Sequence, residues 1–85
     1  MTRVVQPEGQ LFGARLRQMR KRRRLTQEDL GKAAGLAGPF ISDMERGLKV
    51  PSLTTILRLA VALDCKVTDL IAIFDKTDLL LILPK

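Results

Sequence analysis

Few side chains in this sequence can do covalent chemistry, and the missing kinds decide more than those present. There is no histidine, tyrosine or tryptophan, and the single cysteine is Cys65. A Ser–His or Cys–His nucleophile pair is therefore impossible. A zinc site of Cys/His type needs three or four such ligands, and one is on offer. No enzyme, cofactor or metal is expected. One cysteine also excludes an internal disulfide, which fits a reducing cytosol. What the chain concentrates is positive charge. Residues 1–25 hold Arg3, Arg15, Arg17, Arg20, Lys21, Arg22, Arg23 and Arg24 against Glu8 alone, a balance of +7. Residues 26–85 hold seven basic and eight acidic side chains, so the 85-residue chain carries a net +6. Charge gathered on one segment suits a polyanionic partner, nucleic acid ahead of anionic lipid.

The elements that must carry those charges read as helices. Pro7 and Glu8 suit a first helical turn, and Phe12, Leu16 and Met19 recur at i, i+4 and i+7 toward about Arg23. Thr26 is an N-cap with Asp29 three residues on, and Leu30, Ala33 and Ala34 are the expected buried face before Gly35 ends the helix. A third helix holds Ile41 and Met44 and stops at Gly47. Pro51 and Ser52 introduce a fourth, with Leu53, Ile56, Leu57, Ala60 and Leu63 in register, and a fifth fits Val67 to Phe74 with Leu70 and Ile71 inward. Met19, Met44 and Cys65 sit in apolar context as core filler. Asp64, where a left-handed turn is needed, tolerates that conformation better than most residues. The fold class expected is all-α: one compact five-helix bundle over residues 8–74, a flexible arm at 1–7, and an apolar extension at 75–85. The longest apolar run, Leu79–Leu83, has five residues, where a membrane span needs about twenty. The opening MTRVVQPEGQ has no signal-type apolar core. A cytoplasmic, nucleoid-associated protein with no membrane partner is expected.

Within this pattern, Thr26-Gln27, Ala34-Gly35, the run Ile41, Met44, Glu45, Arg46 and Gly47, and Pro51-Ser52-Leu53 stand in a sustained register. In these residues the segment from Phe12 to Ile71 resembles the Cro/repressor-type helix-turn-helix family, also called the xenobiotic-response-element family, with its lambda-repressor-like bundle. The resemblance implies that helix three, about Gly38 to Arg46, enters the major groove of double-stranded DNA while helix two crosses the backbone. It implies phosphate contacts from Gln27, with Arg46, Lys49, Ser52 and Thr54 as further ligands; Gln27 is otherwise an ordinary first-turn residue. Arg20 and Glu45 match positions that form an internal ion pair, a structural role. Lys21 to Arg24 make either a solvated face or a contact with DNA or a partner, and Arg3 either enters a minor groove or is solvated.

Helix three departs from the family pattern. Its start reads Ala37, Gly38, Pro39 and Phe40, where polar readers are usual, and Ala37 lacks the capping oxygen. Gly38 offers close backbone approach but no side chain, and Pro39 is tolerated in the first turn and stays among the possible readers. Base readout then falls to Pro39 with Phe40, Ser42 and Asp43: Phe40 against a thymine methyl or as an interhelical spacer, Asp43 accepting from cytosine or merely capping or repelling. Leu79, Leu80, Leu81, Ile82 and Leu83 are apolar on both faces of any element, which suits a dimer interface, the alternative being a tail folded back on the bundle. Two functions compete. One is a sequence-specific transcriptional regulator, a repressor, acting as a homodimer on a roughly palindromic operator. The other is a protein-interaction co-regulator or antitoxin-type module with weak base readout.

Overall fold

The computed structural model describes residues 6–74 as five helices: α1 (Pro7–Arg22), α2 (Gln27–Ala34), α3 (Gly38–Glu45), α4 (Leu53–Ala62) and α5 (Val67–Ile71). Among the described residues there is no strand, and no helix is long and apolar enough to cross a membrane. Pro7 is the first residue of α1, with Glu8 in its first turn. The start signals act as their chemistry predicts. Thr26 Oγ1 accepts from the Asp29 N–H at 2.9 Å while the Thr26 N–H donates to Asp29 Oδ2 at 3.2 Å, a reciprocal cap on α2. These bonds hold the Asp29 carboxyl below the usual carboxylate range. Ser52 Oγ accepts from the Thr55 N–H at 3.1 Å and caps α4, whereas α3 begins at Ala37 with no side-chain cap.

Four helices stop by one device. The residue just after a left-handed one sends its N–H back to a carbonyl in the helix's last turns: Leu25 to Arg20 O, Leu36 to Gly31 O, Leu48 to Asp43 O and Cys65 to Ala60 O, at 3.2, 2.8, 2.9 and 3.0 Å. The left-handed positions are Arg24, Gly35, Gly47 and Asp64, with φ of 57°, 70°, 75° and 50°. Sequence reading marked Gly35, Gly47 and Asp64 for such turns. Arg24 was not foreseen, and as a non-glycine it carries strain there.

The core is a single cluster of Phe12, Leu16, Met19, Leu30, Ala34, Ile41, Met44, Leu59, Ala60, Leu63 and Leu70. Helix packing closes on itself: α1 lies on α3, α3 on α2, α2 on α4, α4 on α5, and α5 back on α1. The α1–α3 crossing is tight because Gly13 has no side chain; a Cβ there would lie 2.8 Å from Glu45 O and closer still to Met44 O. Arg15 of α1 and Arg23, just past its end, are taken up by the fold. Arg15 Nε donates to Asp69 O at 2.7 Å and Arg23 Nη2 to Asp64 O at 2.8 Å.

Four expected core positions are corrected. Ala33 and Ile71 face out, and so do Leu53 and Leu57 of α4, 68% and 46% exposed. The buried face of α4 is instead Thr55, Leu59 and Ala60, continued by Leu63. Apolar residues occupy two faces of α4, Leu53, Leu57 and Val61 on one and Leu59, Ala60 and Leu63 on the other, so periodicity admits two registers, and packing against α2 and α5 selects the one through Leu59. Thr55 is accepted into that face because its hydroxyl takes a hydrogen bond from Ser52 Oγ at 3.1 Å. Helix α5 ends at Ile71 rather than Phe74, although Phe74 still packs on the core.

Candidate nucleic-acid interface

Placement of the site begins with one buried polar knot. Arg20 on α1 meets Glu45 at the end of α3 through two bonds, Nε to Oε2 at 2.6 Å and Nη2 to Oε1 at 3.0 Å. The third arm of the fork, Nη1, donates to Leu25 O at 2.7 Å in the turn before α2. The side chains are 11% and 4% exposed, so the pair is largely desolvated yet fully bonded. The hydrogen bond to Glu45 raises the Arg20 guanidinium above its ordinary value, against the opposing pull of burial. Gln27, the first residue of α2, joins the same knot: its Nε2 donates to Glu45 Oε1 at 3.2 Å. A single carboxylate therefore fixes the end of α3 and the start of α2 relative to α1.

Above this knot the starts of α2 and α3 face each other across an open cleft of about 470 Å³ lined by Gln27, Glu28, Gly38, Pro39 and Ser42. Gly38 is not there for want of space. A Cβ would make only ordinary contact, 3.7 Å from Glu28 Cα. A second group forms at the other end of α3. Asp43 Oδ1 pairs with Arg46 Nη2 at 2.7 Å and Oδ2 lies 3.9 Å from Lys49 Nζ. That ammonium also stands 5.7 Å from the centroid of the Phe40 ring. Phe40 is half-buried against the core, which agrees with the spacer role and leaves its outer edge exposed beside Lys49.

The structure thus brings Gln27, Gly38, Pro39 and Ser42 together on one side of α3, and Phe40, Asp43, Arg46 and Lys49 on another. Ser52 and Thr54 are exposed at the start of α4, but the Ser52 hydroxyl is engaged in capping. Leu79, Leu80, Leu81, Ile82, Leu83 and Arg3 lie outside the described residues. Burial, and next the Asp69 charge, push the Cys65 thiol up, away from the reactive thiolate form. No cluster of three or more metal-ligating side chains occurs among the described residues. Sequence reasoning missed the Asp43 pairs with Arg46 and Lys49; the i, i+3 spacing of Asp43 and Arg46 was the available signal. It also missed Gly13 and Gly31, where close backbone passages sit.

A capped helix, a tight glycine turn and a second helix exposed along one side define a helix-turn-helix module. The chain belongs to the helix-turn-helix domain family, whose profile matches residues 11–72. It is 40% identical to the restriction-modification controller protein C.AhdI from Aeromonas hydrophila, with a TM-score of 0.73 over 74% of this chain and 96% of that one. The biofilm master regulator SinR, solved in complex with DNA, is 31% identical, with a TM-score of 0.67 over 71% of this chain and 97% of that one. The immunity repressor protein of Bacillus phage phi105 is 37% identical across 69% of this chain and 41% of its own length. The chain spans 63% and 44% of the length of two other curated relatives. These names agree with a regulator rather than an enzyme.

Proposed function

We propose that the chain is a sequence-specific DNA-binding transcriptional regulator, a repressor, acting in the cytoplasm on the nucleoid as a homodimer at a roughly palindromic operator. The observation that carries this reading is the α2–α3 geometry: the capped start of α2 beside a partly exposed α3, with Arg46 and Lys49 at its far edge. Gln27, Arg46, Lys49, Ser52 and Thr54 are then the phosphate ligands. Ser42 and the exposed edge of Phe40 reach base edges, with Gly38 and Pro39 admitting the backbone closely. The phage relative's name supports repression. Support for a dimer comes from the apolar run Leu79–Leu83 and from α4, whose outer stripe Leu53, Leu57 and Val61 is 68%, 46% and 82% exposed.

The start of α3 favours a second reading, a protein-interaction module, because Gly38 and Pro39 supply no side-chain donor to a base. One experiment decides between them. Selection of bound duplexes from a random pool, followed by titration of the winner and of random duplex at matched salt, should return a two-fold-related sequence bound at least about a thousandfold more tightly. Equal affinity for both duplexes defeats the sequence-specific reading, and absence of binding to either favours the protein-interaction module.

A further inference from the structure

We propose that Asp43 is an intramolecular counter-charge, competing with DNA phosphate for Arg46 and Lys49 and so restraining binding to unselected DNA. The inference rests on the DNA-binding reading above. Asp43 lies in the last turn of α3, facing the same side as the two cations. Each carboxylate oxygen is assigned to one of them, Oδ1 to Arg46 at 2.7 Å and Oδ2 to Lys49 at 3.9 Å. The acid is sheltered beneath them: its side chain is 20% exposed, theirs 61% and 57%. The loop is built to keep Lys49 there. Gly47 takes the left-handed conformation, Leu48 N–H returns to Asp43 O at 2.9 Å, and the Lys49 ammonium comes to rest over Phe40.

A phosphate approaching Arg46 or Lys49 meets a cation already half-neutralised, with a carboxylate just behind it. It must either displace the pair or accept a like charge nearby. The cost falls on every sequence alike, because phosphates are the same everywhere, and non-specific binding consists almost wholly of such contacts. A selected operator adds base contacts that offset the cost. Asp43 therefore lowers both affinities by the same factor without touching a base, leaving random DNA unoccupied at concentrations where the operator is still bound. This role differs from acceptance of a cytosine amino group, which would act at one base pair alone.

The test compares the full chain with Asp43→Asn, which keeps shape and removes charge, and with Asp43→Glu, which restores it. Asp64→Asn, in the α4–α5 turn, serves as the control with the same change in net charge. Binding to random duplex is titrated from about 50 to 200 mM salt, with melting temperatures alongside. Asp43→Asn should bind random duplex roughly three- to tenfold more tightly, as loss of one or two exposed pairs allows. Its salt slope should steepen by about one, its operator affinity should rise by a similar factor, and Asp43→Glu should return toward the parent. Asp64→Asn should gain less than about twofold, being a distant, screened charge. An unchanged affinity and slope for Asp43→Asn overturns the proposal, as does an equal gain from Asp64→Asn. Relaxed preference at one base pair without a uniform gain makes Asp43 a reader and also overturns it. Asp43→Ala carries the same expectation should the Asn variant melt early. A parent that binds no duplex at all defeats the DNA-binding reading instead.

Discussion

Removing the Arg20 guanidinium would strand the Glu45 carboxylate, 4% exposed, with only Gln27 to answer it. Arg20→Ala should cost on the order of 3 kcal/mol, whereas Arg22→Ala, a surface change, should cost under about 1 kcal/mol. Thermal melts of the two variants check the contrast, and equal midpoints would contradict it. Gly38 offers the opposite case, a residue with room to grow. Gly38→Gln should fold normally and raise affinity for a duplex bearing adenine opposite the start of α3, by roughly 1–3 kcal/mol. Repeating the pool selection with the variant checks it, and unchanged selected sequences would count against a reading role for this end of α3. The Arg20–Glu45 pair was legible because family resemblance fixes both positions. That Gln27 shares the same carboxylate was not, since such a bond exists only once three helices have met.

Helix ends tell a similar story one level up. Three of the four left-handed turns were legible from glycine or aspartate at the right place, while Arg24 carries no such mark and is held at φ 57° by its own N–H bond to Lys21 O and its neighbours' bonds to Arg20 O. Arg24→Gly should therefore stabilise the fold by about 0.5–1 kcal/mol, read as a higher midpoint in urea. The Asp29 cap makes α2 sensitive to acid. Its carboxyl lies below its ordinary value in the folded chain, so the stabilisation is complete above the unfolded value of about 4 and lost as pH falls through the folded one. The melting-point difference between the parent and Asp29→Asn should shrink between roughly pH 5 and pH 2. The face of α4 was misread for a physical reason: a helix with apolar residues on two faces gives no single register of its own, and only its neighbours decide which side is inside.

At the scale of the molecule, the outer stripe Leu53, Leu57 and Val61 remains exposed after the core is complete. If it and Leu79–Leu83 meet a second copy, truncation after Asp78 or the substitution Leu57→Lys should shift sedimentation toward monomer and weaken operator binding. An unchanged dimer in both would remove these surfaces from the interface. The bundle itself has a different kind of completeness. Its helices pack in a closed circuit, α1 to α3 to α2 to α4 to α5 and back to α1, sealed where Arg15 bonds Asp69 O. A circuit has no free end from which to unravel. Even α5, five residues long and too short to hold helical form alone, is gripped from both sides. Deuterium should then enter the buried amides of α1, α3 and α5 at one common slow rate set by whole-chain opening, with no helix exchanging early as a separate piece.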